Sequence, residues 1–165
     1  MIDALQPEPS QLSPPAALQL QLNLEANRRL EEEFGLLTAA QVAERSGSTA
    51  ANASQTGSRW RKAGKVLVFS VKGTSCYPGF QFDENGQPLP VIAEVIERLG
   101  PYLPSRQLAF WFVGASVDLY DGRPVDLFDE HPDDVIRVAD ELAADLLDAA
   151  GGVAPVSRSG VSTNP

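Results

Sequence analysis

The chain has 165 residues and a net charge of −9, from 13 Lys and Arg against 22 Asp and Glu. That length suits one compact domain or two small ones sharing a core. No run approaches the roughly 18 apolar residues of a membrane span, and MIDALQPEPSQLSPP lacks the basic start and apolar centre of a secretory signal. A single cysteine, Cys76, has no partner for an internal disulfide, and one histidine adds too little for a protein-only zinc site. These features predict a cytoplasmic protein with no membrane segment, metal or cofactor.

Residues 1–15 are rich in Pro, Gln and Ser and read as a disordered leader. The stretch 16–34, AALQLQLNLEANRRLEEEF, reads as a helix. Leu18, Leu20, Leu22, Leu24, Leu30 and Phe34 supply its apolar face, although the Leu-x-Leu alternation also fits a strand. Gly35 stops it. In LLTAAQVAERSG, Thr38 is an N-cap and Gln41, three residues on, completes a capping box; Val42 faces inward with Ala39 and Ala43, and Gly47 ends the helix. A second short helix starts at Asn52 or Ser54 and closes near Gly64. Gly57 weakens it by about 1 kcal/mol relative to Ala, so Trp60 is expected to anchor it to the hairpin.

Lys65–Phe82 reads as that hairpin, with KVLVFSV as one strand, Lys72-Gly73-Thr74 as the turn and SCYPGFQF as the return strand, bulged or edged at Pro78-Gly79. Phe80 and Phe82 are assigned to the core, and Asn85-Gly86 to a further turn. The rest is helical. PVIAEVIERLG places Val91, Ile92, Val95, Ile96 and Leu99 on one face. SRQLAFWFVGAS starts with Ser105 as its cap, and Pro124 opens a short helical segment. HPDDVIRVADELAADLLDAAGG begins with Pro132, Asp133 and Asp134 in a dipole-compatible first turn and presents Val135, Ile136, Val138, Ala139, Leu142 and Leu146 inward.

The charge is unevenly distributed. Residues 1–44 carry two basic and seven acidic side chains, and residues 83–165 carry five and fifteen. Between them, Arg45, Arg59, Arg61, Lys62, Lys65 and Lys72 stand in 38 residues without one carboxylate. Such an island is either a solvated basic face or a polyanion site, and it coincides with the helix pair and hairpin. A second helix able to lie in the major groove would present Asn52, Gln55, Thr56 and Arg59 to base edges, with Arg61, Lys62 and Lys65 on phosphates and Lys72 at the tip of a wing. Double-stranded DNA is therefore the expected partner. Four consecutive apolar residues, Phe110–Val113, cannot all face one core from one helix, so an interface is expected there too, either for a partner or for a homodimer or higher oligomer. Catalytic readings find no support. Asp129, Glu130, Asp133 and Asp134 are accounted for by a helix start, His131 by a surface position at the cap, and Cys76 has no neighbouring base, so the chain reads as a non-enzyme.

The order LLTAAQVAERSG, SRWRKAGKVLVFSVKGTSCYPGFQFDENGQPLPVIAEVIERLG, RQLAFWFVG and DGRPVDLFDEHPDDVIRVADEL resembles bacterial proteins of the Xre/MbcA/ParS antitoxin-like group over about residues 36–143. The helix-turn-helix, followed directly by a hairpin, is nearer the MerR or excisionase kind. The resemblance implies a DNA-binding half, a helical half that docks an NAD-consuming toxin of the RES-domain type, and an autoregulated operon. Its candidate partner-binding residues are Trp111, Phe112, Asp121, Arg123 and Pro124. The expected architecture is mainly α with one β-hairpin: a helix-turn-helix plus wing over 16–86, a small helical domain over 87–150, and a disordered tail over 151–165.

Overall fold

The computed structural model describes residues 13–49, 52 and 54–151. The fold is mainly helical with a small antiparallel sheet, as expected. The expectations for the leader before Ser13 and the tail after Gly151 lie outside the described residues. The chain divides into two compact units. One runs to Arg59 and resumes at Val68–Gln87; the other comprises Trp60–Leu67 and the chain from Pro88.

In the first unit α1 spans Pro14–Phe34, with Ser13 as N-cap and Gly35 as C-cap. It starts two residues earlier than expected because proline is tolerated in a first helical turn, where its missing N–H has no helical partner. Leu30 is buried, but Leu18, Leu22 and Leu24 are about half exposed. The expected single apolar face therefore fails. At 100° per residue a Leu-x-Leu alternation spreads round the helix instead of lining it. Leu36–Leu37 forms β1, a strand too short to show a period in sequence. The capping box of α2 (Ala39–Arg45) is present: the Gln41 amide donates to Thr38 Oγ1 at 3.2 Å, and the Thr38 amide donates to Gln41 Oε1 at 2.8 Å. Val42 and Ala43 are buried on its inner face.

The helix α3 covers Ser54–Lys62. Beyond it Gly64 sits at φ +71°, its amide donating to the Arg61 carbonyl and the Lys65 amide to the Trp60 carbonyl. This pair of bonds closes the helix C-terminus around a left-handed residue, a position glycine fills without a steric penalty. Only Phe69–Val71 of the expected first strand pairs, as β2, while the preceding Val66, Leu67 and Val68 are buried without a ladder. The return strand β3 (Thr74–Pro78) lies between β1 and β2, and Gly79–Gln81 leaves it as a 3₁₀ turn. Val71 pairs with Thr74 across a two-residue tip in which Lys72 and Gly73 both have positive φ, the backbone that matches strand twist in a tight hairpin. Phe80 is core, packed edge-to-face on Phe34 at 5.5 Å, while Phe82 is half-buried. The Asn85-Gly86 turn is closed by Asp83, whose carboxylate accepts from the Asn85 and Gln87 amides.

The second unit is built on α4 (Pro90–Leu99) packed against α6 (Pro132–Ala149). Val91, Ile92, Val95 and Leu99 of α4 are buried, as are Val135, Val138 and Ala139 of α6, while Ile96, Ile136, Leu142 and Leu146, also expected inward, are only half-buried. Arg98 ties the two helices at the surface, reaching Glu94 and Asp140 at 2.7 Å each. α5 spans Ser105–Val113, but its N-cap is Pro104; Ser105 is the first helical residue and caps nothing. Pro124 opens a 3₁₀ turn over Pro124–Leu127.

Candidate nucleic-acid interface

The turn between α2 and α3 is tied by side chains. Ser48 Oγ and Thr56 Oγ1 share a hydrogen bond of 2.7 Å, and Asn52 Oδ1 accepts from the Ser54 amide and hydroxyl at 2.9 and 2.8 Å. Thr56, expected to face DNA, is 2% exposed and bonded to Ser48, so it locks the two helices together instead of reading bases. Asn52 stays exposed just ahead of the helix, with its amide oxygen committed to capping. Gly57 is buried because Tyr77 from β3 lies across it. A Cβ there would come within 2.6 Å of Tyr77 Cζ and closer still to the hydroxyl. The glycine that looks like a weakness in the sequence is what lets the sheet reach the helix.

With Thr56 and Gly57 turned inward, the outer stripe of α3 is Gln55, Ser58, Arg59 and Lys62, a spacing of i, i+3, i+4, i+7 along one helix. Gln55, Arg59 and Lys62 are exposed and Ser58 half-exposed; Arg61 is exposed on the flank. Ser58 was missed by reading residue types alone, although its spacing from Gln55 would have found it. Lys65, just past the helix, and Lys72, at the hairpin tip, are also exposed. Arg45, at the end of α2, is exposed too. Among the described residues none of Arg45, Arg59, Arg61, Lys62, Lys65 and Lys72 makes an ion pair or side-chain hydrogen bond. Along α3 the stripe offers an amide and a hydroxyl, Gln55 and Ser58, followed by two exposed cations, Arg59 and Lys62, on a helix short enough to enter a major groove.

The five candidate partner residues of the second unit separate. Phe112 is fully buried, edge-to-face with Phe128 at 5.5 Å, and Pro124 is buried. Both are core and unavailable to a partner, because the phase of α5 turns Phe112 inward. Arg123 grips Asp126, Nε donating to Oδ2 at 2.8 Å and Nη2 to Oδ1 at 3.0 Å. Trp111 is half-buried beside a groove of about 390 Å³ that also touches Ser116, Asp118, Leu142 and Asp145. Asp121 is exposed at φ +63°, next to Tyr120 at φ +55°, which is 97% exposed.

Among the described residues no three His, Cys, Asp or Glu side chains cluster to hold a metal, and no helix is long and apolar enough to cross a membrane. Cys76 is buried, its thiol donating to the Thr74 carbonyl at 3.4 Å. No family model matches the chain, and no curated protein matches it by sequence. Among solved structures it is similar to the NMR structure of Rv2175c, with a TM-score of 0.57 and 19% identity over 67% of this chain and 82% of that one, a likeness of fold.

Proposed function

We propose that the protein is a double-stranded-DNA-binding regulator that acts by binding rather than catalysis, with α3 as the helix laid in the major groove and the β2–β3 hairpin as a wing. One observation carries this reading. The cations of the α2–α3 pair and its hairpin stand exposed and, among the described residues, without an ion-pair partner, in a chain whose net charge is −9. Surface cations with no carboxylate partner can neutralise phosphates, and release of the counterions condensed on the DNA drives binding. Gln55 and Arg59 carry the donors suited to adenine and guanine edges, and the lysines suit phosphate contacts. The test is fluorescence anisotropy of the full chain on duplexes from its own promoter region across a salt series. Binding should weaken steeply with salt, and a flat response would sink the reading.

We further infer, from the resemblance of YPGFQFD and DGRPVDLFDEHPDDVIRVA to the antitoxin-like group, that the second unit docks a toxin of the RES-domain type and that the pair represses its own operon. The protruding Tyr120–Asp121 turn and the half-exposed Trp111 favour a partner surface on that unit. Co-expression with the product of a neighbouring toxin gene should rescue growth and co-purify. Failure of both, with DNA binding intact, would leave a toxin-independent regulator.

A further inference from the structure

The whole net charge of the chain resides in residues 115–150, which carry eleven acidic and two basic side chains against eleven of each elsewhere. Within this segment the groove of about 390 Å³ runs between the end of α5, the turn that follows and α6. Its apolar lining is Trp111, Val138 and Leu142, and its exposed charges are Asp118, Glu141 and Asp145. Trp111 is already held in place, edge-to-face with Phe112 at 5.1 Å. Glu141 is bonded to Arg137, but Asp118 and Asp145 have no ion-pair or side-chain hydrogen-bond partner among the described residues. One wall is a closed loop. The Ser116 amide donates to the Gly122 carbonyl at 3.0 Å and the Asp121 amide to the Ser116 carbonyl at 2.9 Å. This loop holds Tyr120 and Asp121 in left-handed backbone, a conformation that costs energy in residues with a side chain, and it leaves Val117 81% and Tyr120 97% exposed.

We propose that this groove receives an arginine side chain of a protein partner, its guanidinium stacked on Trp111 and bonded by Asp118 and Asp145, with apolar neighbours of that arginine covering Val117 and Tyr120. The inference rests on reading the second unit as the partner-bearing one, and it names the chemistry of the contact. Charge selects the occupant. A second copy, a nucleic acid or an anionic lipid face would bring negative charge against a segment of −9, whereas a basic protein segment is attracted to it. The lining selects the side chain. A cation over an indole face is drawn by the ring's quadrupole, and a planar guanidinium can stack there while donating to two carboxylates, which a lysine ammonium cannot match. The apolar stem of an arginine also suits Val138 and Leu142, which leaves its charged end among the carboxylates. The volume lies at the small end of the roughly 300–1,000 Å³ range of ligand pockets, room for one long side chain and its flanks but not for a docked helix.

The probe is the end-capped peptide Gly-Leu-Arg-Leu-Gly, compared with twins carrying Lys or Gln in place of Arg. It is titrated into the full chain at low salt and followed in proton–nitrogen correlation spectra. The chain has two tryptophans, Trp60 and Trp111, and Trp111→Phe tells their indole signals apart. The Arg peptide should shift the Trp111 indole and the backbone signals of Asp118 and Asp145, leave the Trp60 indole in place, and bind with a dissociation constant on the order of 1 mM, the range of one well-placed side chain. The Lys twin should bind about threefold more weakly and the Gln twin about tenfold. Asp118→Asn with Asp145→Asn should reduce the Arg peptide to the Gln level, with helical circular dichroism unchanged. Asp129→Asn with Glu130→Gln removes equal charge away from the groove and should change affinity less than twofold. No response at Trp111 overturns the proposal. So does equal binding of the Gln twin, which would make the groove merely apolar, or an equal loss in the two double variants, which would make the attraction diffuse. The titration uses no toxin, so this site and the toxin reading fail separately.

Discussion

Arg98 and Arg59 both lie near the C-terminal ends of helices, yet the carboxylate-free stretch between Arg45 and Phe82 and the helices that follow it use their arginines in opposite ways. In the second unit Arg98 bonds Glu94 and Asp140, Arg123 bonds Asp126, and Arg137 bonds Glu141 and pairs with Asp134. The hydrogen bonds that Arg98 and Arg137 donate to Glu94 and Glu141 respectively raise their pKa above the ordinary value. Arg59, Arg61 and Lys62 share α3 and have no such partner among the described residues. The cause is local sequence. Three or four residues away from each paired arginine stands a carboxylate, whereas no carboxylate lies between Arg45 and Phe82. One set of cations is satisfied within the chain, and the other remains available to something outside it.

The largest test of that contrast is on DNA. Replacing Arg59 and Arg61 together by Ala should lower affinity for duplex DNA by about 10²-fold or more at low salt. It should also flatten the plot of log affinity against log salt by about 1, since Arg61 is the phosphate-directed member of the pair and each such cation contributes close to one unit. Arg123→Ala and Arg137→Ala together, which remove an equal charge already neutralised by Asp126 and Glu141, should leave both quantities unchanged. Equal losses from the two changes would mean that net charge, not an available surface, governs binding.

The next effect lies inside the first unit. In an ordinary helix interior Gly→Ala stabilises by roughly 1 kcal/mol. At Gly57 the new methyl would run into Tyr77, so Gly57→Ala should instead destabilise by about 1–3 kcal/mol, lowering the thermal midpoint by several degrees. Adding Tyr77→Phe removes the atom nearest that methyl and should restore part of the loss. Restoration is the informative arm, because a generic helix effect would not respond to residue 77.

Gly57 also marks where sequence reading ran out. Features written in contiguous residues were legible: the Thr38–Gln41 box, the Gly64 closure, the Lys72-Gly73 tip, and the inward faces of α4 and α6. So was the charge island. Features decided by remote contact were not. Tyr77 lies twenty positions from Gly57, and nothing near Thr56 says that its hydroxyl will meet Ser48 rather than solvent. In Phe110–Val113 hydrophobicity is uniform, so only the packed phase of α5 shows that Phe112 faces inward and Trp111 stays half-exposed. The leucines of α1 misled for a related reason: their alternation is regular, but its period is not that of a helix face.

Thr56 gives a smaller effect that separates holding the interface from being it. Thr56→Val keeps the shape and removes the bond to Ser48, at a cost of about 1 kcal/mol. DNA affinity measured well below the melting range should change less than twofold. A tenfold loss at 25 °C would return Thr56 to the reading surface and require α3 to turn from its present phase.

The smallest effect tests the paired side of the contrast. The hydrogen bond from Arg123, aided by its charge and opposed by partial burial, holds the Asp126 carboxyl below its ordinary value of 3.8. A folded-state pKa lower than the unfolded one adds stability that is fully present above the unfolded value and is lost as pH falls through the folded value. The contribution should therefore be constant from neutral pH down to about pH 5 and disappear progressively below about pH 4. Both side chains remain in contact with water, Asp126 at 55% and Arg123 at 30%, so solvent screening limits the contribution to a few tenths of a kcal/mol. Chemical unfolding of Asp126→Asn against the natural chain should show that small deficit at pH 7 and none at pH 2. Its duplex affinity at pH 7 should be unchanged, because Arg123 lies outside the carboxylate-free stretch that carries the DNA-directed cations. A gain in DNA affinity on freeing Arg123 would show instead that the second unit's arginines are held in reserve for the same polyanion.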